Sequence, residues 1–262
     1  MSKLLKEEIV GIEKIAQEIY KLTIKSEYVS KNALPGQFIN IKCSEGLTAL
    51  LRRPISICDV DRAGGTFDVC FQIKGIGTEY LARKTAGELL DIIAPIGNPF
   101  HLSNDYKNIA VVGGGIGVFP LLYLLKESSH ANRYTFLGYR NKDYVVLEDE
   151  FKNVSDKYFI STDDGSAGYK GLVTDLLEKE LREKGIDIVY ACGPTPMLRR
   201  VIELTNKYGT KCQVSMEQRM GCGIGACLVC ACKTKAENDD GWEYSHVCKD
   251  GPVFWSNEII LD

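Results

Sequence analysis

Short apolar runs separated by turn residues fill the first third of the chain. Between Lys6 and Ile96 the apolar or alternating runs are EIYKLTIKS, GQFINIKC, RRPISICDV, GGTFDVCFQIKG and ELLDIIAPIG. Turn-forming residues separate them at Pro35-Gly36, Gly64-Gly65, Gly75 to Gly77 and Gly97-Asn98-Pro99. Strands at this spacing are typical of a small antiparallel barrel or sandwich. The pattern therefore predicts an all-β domain, which we expect to span residues 1–102.

From Asn108 onward the hydrophobic period changes. The run NIAVVGGGIG has the pattern of a buried strand that enters a glycine turn, and FPLLYLLKESS follows with the pattern of an apolar helix. Strand and helix patterns then alternate through RYTFLGYR, KYFISTDD, LVTDLLEKELREKG, DIVYACGP, TPMLRRVIELTNKYG and KCQVSME. Such alternation predicts βαβ units and a parallel sheet. We expect this second, α/β domain to span residues 103–213.

Residues 214–262 form a tail with too little apolar sequence for a core of its own. Cysteines are concentrated in this tail, four of them within the segment CGIGACLVCAC. A short segment of this kind folds when a metal holds its ligands together. We therefore expect a small C-terminal subdomain built around a metal centre.

Charge and composition exclude several classes of protein. The 262 residues include 32 Lys and Arg against 35 Asp and Glu, and no basic stripe is present, which argues against a nucleic-acid binder. Apolar residues make up 45% of the chain and charged residues 26%, as in ordinary globular proteins. Charges interrupt the first residues, MSKLLKEEIVGIEKIAQEIYKL, every few positions. They therefore predict neither a secretory signal nor a membrane span, and we expect a soluble, cytoplasmic protein.

The cysteines of the tail have the spacing of an iron-sulfur site. Cys222, Cys227 and Cys230 form C-x4-C-x2-C, and Cys248 follows after 17 intervening residues. This is the plant-type [2Fe-2S] spacing, whereas zinc sites usually use two separated C-x2-C pairs, so structural zinc is the weaker alternative. Cys232 follows Cys230 too closely on a strand to share its face, and we expect it to be a non-ligand. Five further cysteines lie among apolar neighbours and are expected to be small buried hydrophobes: Cys43, Cys58, Cys70, Cys192 and Cys212.

Two glycine turns in the α/β domain suit a nucleotide. Gly113 to Gly117 lie between a buried strand and an apolar helix, where backbone N–H groups can bind phosphate, although Val118 breaks the G-x-G-x-x-G spacing. Such a turn also serves close packing alone. A later strand ends in Cys192-Gly193-Pro194, which places a second turn at the same edge of the sheet. Together the two turns favour nucleotide binding.

The β domain carries further candidate phosphate ligands. Two arginines and Ser56 lie on the strand LRRPISI, and an arginine fork suits a pyrophosphate. Gly75, Gly77 and Thr78 lie in FQIKGIGTEYLA, where backbone amides and a hydroxyl at a helix start can hold phosphate. We find no catalytic constellation: His101, His130 and His246 follow no ligand spacing, and no Ser/His/Asp group or carboxylate pair is recognisable.

Taken together, R-P-x-S, a GxGT turn, GGGIG, CGPxPM and the C-terminal cysteine motif resemble the ferredoxin reductase superfamily. Within it, EQRMGCGIGACLVCACK closed by HVCKDGPVF is similar to the electron transfer subunits of type B dihydroorotate dehydrogenase. The resemblance covers essentially the whole chain. It implies a β + α/β multidomain fold, with an N-terminal antiparallel barrel that binds FAD, a Rossmann-like nucleotide domain and a small [2Fe-2S] subdomain.

The resemblance also implies a role for each motif. The residues that would bind FAD are Arg53, Pro54, Ile55, Ser56, Phe71, Gln72, Ile73, Gly77 and Thr78. Those facing NAD(H) would be Gly113, Gly114, Gly115, Gly117, Cys192, Gly193 and Pro194. The cluster ligands would be Cys222, Cys227, Cys230 and Cys248. Both charge signs occur in Arg140-Asn141-Lys142-Asp143, where the nucleotide ribose is recognised, so the resemblance alone favours NAD over NADP.

The implied function is electron transfer. NADH would supply electrons to FAD, and the cluster would pass them singly to or from a separate FMN-containing catalytic subunit that converts dihydroorotate to orotate, with two copies of each chain in the complex. The partner would dock near the cluster. Two alternatives stay open: a related reductase subunit that serves ferredoxin or sulfur compounds, and a non-enzymatic binding protein stabilised by zinc.

Overall fold

The computed structural model describes residues 1–44, 46, 48–183 and 185–261, and its first domain is a closed antiparallel barrel. The barrel strands are β1 (Lys3–Ala16), β2 (Ile19–Lys25), β3 (Phe38–Ile41), β4 (Arg53–Asp61), β5 (Thr66–Gln72) and β6 (Leu89–Ile96), in the order β1-β2-β5-β4-β3-β6. Two short helices, α1 (Glu27–Asn32) and α2 (Ile76–Ala82), connect them. Of the two expected architectures, barrel and sandwich, the structure has the barrel.

Side chains of β3 alternate between the inside and the outside of the barrel. Ile39 and Ile41 belong to the barrel core, where they pack with Ile57 and Val69. Phe38, one position away, packs instead into the core shared with the α/β domain and the tail. This alternation follows from the two-residue period of a strand. The outer face of β3 is therefore covered by protein and does not face solvent.

The second domain is a mostly parallel sheet in the order β10-β9-β8-β7-β11-β12-β15. Its strands are β7 (Asn108–Gly114), β8 (Asn132–Tyr139), β9 (Lys157–Thr162), β10 (Tyr169–Lys170), β11 (Ile188–Cys192), β12 (Lys211–Ser215) and β15 (Val253–Trp255). Its helices are α3 (Phe119–Glu127), α4 (Glu148–Asn153), α5 (Val173–Arg182) and α6 (Thr195–Tyr208). Alternate residues of β7 face opposite layers, because Val111 packs with α3 and Val112 packs with α5 and α6. The sheet is doubly wound, as the alternating pattern predicts.

Helix α3 joins the α/β domain to the barrel. Tyr123 on this helix is buried in the barrel core, and its hydroxyl donates to the Ala33 carbonyl at 2.8 Å. Arg62 donates to the same hydroxyl at 2.9 Å and pairs with Glu127 at 2.6 Å. The helix thus contributes to both cores.

The tail forms a three-stranded antiparallel sheet and also returns to the central sheet. Its strands are β13 (Ala231–Lys235), β14 (Trp242–His246) and β16 (Ile259–Ile260). Strand β15, within the range expected for the cluster subdomain, pairs antiparallel with β12. Val247, Phe254 and Ile259 share one apolar core with the α/β domain, so the tail packs against that domain. No helix in the described residues is long and apolar enough to cross a membrane.

Candidate functional site

A cavity of about 900 Å³ lies between the barrel and the α/β domain. The carboxyl ends of β7, β8 and β9 open into it, as does the turn that follows β11. The barrel forms the opposite wall through Glu18, Ile19 and the segment Gln72 to Lys74 at the end of β5. Ligands of open α/β sheets bind at the carboxyl ends of the strands, so this is the expected position of a nucleotide.

The two glycine turns predicted from the sequence meet at the floor of this cavity. A Cβ atom on Gly117 would lie 2.6 Å from the carbonyl oxygen of Cys192 and 2.7 Å from the Cα of Gly193. No side chain fits in that space, so the close approach of the two turns requires glycine. The helices α3 and α6 begin just after these turns.

Five of the seven residues predicted to face the nucleotide line the cavity: Gly114, Gly115, Gly117, Gly193 and Pro194. The other two lie behind its wall. Gly113 packs against Val118 and Leu121, and the Cys192 thiol is buried. Burial and the nearby Glu217 carboxylate raise the pKa of Cys192 to about 12, so this thiol is neutral at physiological pH.

The cavity also contains charged residues that the sequence motifs did not single out. Asp163 and Arg200 line it, and so does Glu217, which precedes the cysteine loop in the chain. Of the mixed-charge segment considered for ribose recognition, Arg140 lines the cavity, whereas the backbone N–H of Asp143 is bound by the Asn141 side chain in a local turn. Asp163, an acidic group that lines the cavity, follows the next strand, β9. Only the strand order brings it there.

Arg53 and Gly77 come together at the start of α2. A Cβ atom on Gly77 would lie 2.8 to 2.9 Å from Nε, Cζ and Nη2 of Arg53, so the guanidinium rests directly on the bare glycine. Nη1 of Arg53 donates to the Leu51 carbonyl at 2.6 Å, which orients the fork. A guanidinium beside a helix start is a favourable site for a pyrophosphate.

The neighbouring Arg52 has a different role. Its Nη2 pairs with Asp91 Oδ1 at 2.7 Å, and its Nη1 donates to the Asp91 carbonyl at 2.9 Å. Both side chains are largely buried. Arg52 therefore links β4 to β6 within the barrel, and Arg53 is the arginine of the pair that is placed to bind a ligand.

Other candidate flavin residues hold the local structure. The Thr78 hydroxyl accepts from the backbone N–H groups of Lys74 and Gly75 at 2.9 and 3.2 Å and donates to the Gly75 carbonyl, so it closes the turn before α2. Ile55 is buried in the barrel core. Phe71 stacks on Tyr20 with ring centroids 6.0 Å apart, while Gln72 and Ile73 reach the cavity wall.

The R-P-x-S segment lies beside β3 on the surface of the barrel. In the register of the sheet, Pro54 pairs with Asn40 and Ser56 pairs with Phe38. Side chains of directly paired residues are about 4.5 to 5.5 Å apart at Cβ. A ligand bound over Pro54 and Ser56 would therefore lie one strand away from any group that packs on Asn40 and Phe38.

The cysteine loop wraps its own sulfur atoms with backbone N–H groups. Cys222 Sγ accepts from Ile224, Ala226 and Cys227 at 3.4, 3.3 and 3.4 Å. Cys248 Sγ accepts from Gly225 at 3.1 Å. Burial alone raises the pKa of Cys222, but these N–H donors outweigh it and lower that pKa to about 6. Thiolates held in this way suit an iron-sulfur cluster, whose sulfur ligands accept backbone hydrogen bonds.

The four predicted ligands form two pairs. Cys222 and Cys227 accept each other's backbone N–H, at 3.3 and 3.4 Å, and Cys248 donates its N–H to Cys230 Sγ at 3.4 Å. Four cysteine sulfurs in two pairs match the two ligands that each iron of a [2Fe-2S] cluster takes. The donor set therefore fits the cluster.

The two pairs differ in their access to solvent. Cys230 and Cys248 are 2% and 3% exposed, and burial together with the neighbouring Cys230 thiol raises the pKa of Cys248. Cys227 is exposed and Cys222 is partly exposed. Cys232 is buried in β13, where its thiol contacts the Ser245 carbonyl at 3.5 Å. The five cysteines expected to be buried hydrophobes are all buried.

Comparisons with known proteins agree with this geometry. Residues 217–260 match the iron-sulfur cluster binding domain of dihydroorotate dehydrogenase B, and residues 111–203 match the oxidoreductase NAD-binding domain. The chain is 40% identical over 257 residues to the electron transfer subunit of dihydroorotate dehydrogenase B (NAD(+)) from Caldanaerobacter subterraneus subsp. tengcongensis, covering 98% of both chains. It is 41% identical over 260 residues to the protein of the same name from Bacillus mycoides, covering 97% of both.

Solved structures give the same picture. The chain is similar to a chain of an NADH-dependent reduced ferredoxin-NADP oxidoreductase, with a TM-score of 0.86 and 36% identity over 98% of this chain and 90% of that one. The cytochrome b5 reductase domain of Ulva prolifera nitrate reductase shares the fold, with a TM-score of 0.67 and 18% identity over 79% of this chain and 93% of that domain.

Proposed function

This chain belongs to the family of electron transfer subunits of dihydroorotate dehydrogenase B (NAD(+)), and from that membership we propose that it carries electrons between NADH or NAD and a dihydroorotate dehydrogenase catalytic subunit. It is an oxidoreductase subunit whose cofactors are FAD and a [2Fe-2S] cluster, with NAD(H) as its substrate. The reaction served is the oxidation of dihydroorotate to orotate, a step in the biosynthesis of pyrimidines. We propose that the chain acts in the cytoplasm.

One observation carries the proposal: the three candidate sites lie in series along the barrel. Gln72 and Ile73, at the end of β5, line the nucleotide cavity. The register that pairs Ile57 with Val69 brings the R-P-x-S segment at the start of β4 beside the end of β5. Strand β3 lies on the other side of β4 and contacts the cysteine loop, because Asn40 donates a hydrogen bond to the Cys222 carbonyl. Electrons that enter at the cavity can leave at the cluster.

The bound cofactors supply chemistry that the side chains lack: the nicotinamide exchanges a hydride, flavin exchanges two electrons or one, and the cluster carries single electrons. The chain's own residues hold and shield these groups. Arg53, resting on Gly77, would neutralise the FAD pyrophosphate. The glycine turns at 114–117 and 193–194 would hold the nucleotide.

The partner would dock over the exposed cysteine pair. Ile224, Leu228 and Val229 surround Cys227 in the loop and are 56%, 59% and 58% exposed. Exposed apolar side chains next to a functional centre are typical of a protein interface. We propose that an FMN-containing catalytic subunit covers this loop, with two copies of each chain in the complex. Mass measurement of the assembled complex tests the stoichiometry.

The test separates the two halves of the electron route on one preparation. The isolated chain, loaded with FAD and cluster, should reduce an artificial dye with NADH and should not oxidise dihydroorotate. With the catalytic subunit added, dihydroorotate oxidation should become coupled to NAD reduction. Cys248→Ser should abolish the coupling and retain much of the dye reduction. Cys232→Ser is the matched control, because that buried thiol also lies in the tail but contacts the Ser245 carbonyl.

Two results would overturn this assignment. One is dihydroorotate turnover by the isolated chain, and the other is normal coupling in a Cys248→Ser protein shown to lack its cluster. Iron and sulfide in the purified chain would exclude the zinc-stabilised binding protein, since a zinc protein contains neither.

A second acceptor has specific support. The structure that this chain resembles at 36% identity comes from a ferredoxin-NADP oxidoreductase. If the cofactor-loaded chain reduces ferredoxin faster than it reduces the catalytic subunit, the result would favour a reductase that serves ferredoxin or another low-potential acceptor.

A further inference from the structure

Asn40 is a fully buried amide between the flavin-binding strand and the cysteine loop. It lies on β3 with no exposed surface, and its Nδ2 donates to the carbonyl oxygen of Cys222 at 3.0 Å. Asn40 is 182 residues away from Cys222 in the chain. This hydrogen bond therefore connects the barrel directly to the backbone of the first cysteine in the loop.

The loop is shaped to meet this amide. Gly223, the next residue after Cys222, has φ of +71°, and a Cβ atom there would lie 2.3 Å from Asn40 Nδ2. Both the backbone conformation and the space exclude other residues. The loop thus contacts Asn40 more closely than a side chain at position 223 would allow.

The other end of the amide, Oδ1 of Asn40, is buried and accepts no hydrogen bond in the described part of the chain. A buried acceptor without a donor is destabilising, and an apolar side chain of the same size avoids that cost. Burial in the barrel therefore does not favour asparagine at this position, and its benefit lies in the bond to the cysteine loop.

The strand that carries Asn40 is itself fixed next to the flavin segment. Asn40 pairs with Pro54 of R-P-x-S in the sheet, and the backbone carbonyl of Asn40 accepts from Arg52 Nη1 at 3.4 Å. Arg52 is in turn bound to Asp91 on the opposite strand. A strand anchored in this way fixes the position of the Asn40 amide, and therefore the separation between β4 and the loop that the amide holds.

We propose that Asn40 is a positioning residue that holds the Cys222 loop at a fixed distance from the flavin-binding strand and so sets the efficiency of electron passage between the two centres. The inference rests on the proposed function, because it takes the flavin and the cluster as the groups that these two segments hold. The rate of electron transfer falls steeply as the distance between two centres grows. When the loop moves away from the barrel, electrons therefore pass slowly between the flavin and the cluster.

Asn40→Leu removes the donor while keeping the volume. In the cofactor-loaded chain, iron release to an excess of chelator measures how often the loop opens. We expect release about fivefold faster than in the wild type, as the loss of one hydrogen bond of about 1 kcal/mol predicts. NADH-driven reduction of the cluster should also slow, while flavin content and the thermal unfolding of the barrel stay at or above their wild-type values. Gln37→Leu is the matched control, since its amide bonds Gly97 at 2.7 Å and not the loop.

Asn40→Asp tests whether the donor itself matters, as a rescue by the conservative variant. A carboxyl group with no exposed surface stays protonated, so it keeps a donor toward the Cys222 carbonyl, and iron release and NADH-driven cluster reduction should return toward their wild-type values. If the Asp variant does not fold, Asn40→Leu decides alone.

The outcomes separate this inference from the function. A wild-type chain without iron, or with a cluster that NADH cannot reduce, would refute the proposed function. A wild-type chain with an NADH-reducible cluster, beside an Asn40→Leu chain with unchanged iron release and reduction rate, would refute only the role of Asn40.

Discussion

Arg53→Ala is expected to weaken FAD binding without unfolding the barrel. The guanidinium of Arg53 lies against Gly77 at the start of α2 and is oriented by the Leu51 carbonyl. Among the described residues, no carboxylate forms a salt bridge with it, unlike that of Arg52, which pairs with Asp91. Truncation at position 53 therefore removes a ligand-binding charge and leaves the strand pairing intact.

The size of the effect follows from the type of contact. A charge-assisted, bidentate bond to phosphate contributes about 1.5 to 3 kcal/mol, which corresponds to a roughly tenfold to hundredfold loss of affinity. Arg53→Lys keeps the charge but loses the planar fork, so its affinity should fall between those of the wild type and of Arg53→Ala. Arg52→Ala should instead lower the free energy of unfolding, because it leaves the largely buried Asp91 carboxylate without its partner.

Equilibrium titration of the FAD-free chain with FAD, followed by flavin fluorescence, measures the affinities. Thermal unfolding of the same FAD-free proteins measures stability. The reasoning is refuted if Arg52→Ala binds FAD more weakly than Arg53→Ala, or if Arg53→Ala binds FAD as the wild type does.

Three further predictions concern the other sites. Cys227→Ser should abolish the cluster and retain much of the flavin, because the two groups bind different segments; full iron content in the variant would contradict the ligand assignment. Steady-state kinetics should show a preference for NADH, and Asp163→Ala should raise relative efficiency with NADPH roughly tenfold by removing a carboxylate that repels the extra phosphate; equal wild-type efficiencies would overturn the preference. The ammonium of Lys207 and other donors lower the pKa of Glu178 from 4.5 to about 2, so the stabilisation is present above pH 4.5 and disappears as the pH falls toward 2. Glu178→Gln should therefore lower the melting temperature at pH 7 but not near pH 2, and an equal deficit at both would argue against the charge.

Local patterns in the sequence were enough to predict the elements with strong periodicity. The runs around Ile57 and Val69 predicted barrel strands, and NIAVVGGGIG predicted the strand and glycine turn of the α/β domain. Strand β1 was not among the predicted runs. Ile9 is its only fully buried side chain in the structure, and the strand is held by backbone pairing to β2 and β6, which leaves little hydrophobic signal.

The sequence by itself also determined which chemistry the chain can perform, because cysteine spacing and glycine turns are properties of short segments. The cysteines at positions 222, 227, 230 and 248 are recognisable as a ligand set before any fold is known. Register and strand order decided the rest. They place Asp163 in the nucleotide cavity, assign Arg52 to an ion pair with Asp91, and bring Asn40 to Cys222 across 182 residues. None of these contacts leaves a periodic trace in the sequence, because each depends on segments that meet only when the parallel sheet, the barrel and the tail have assembled.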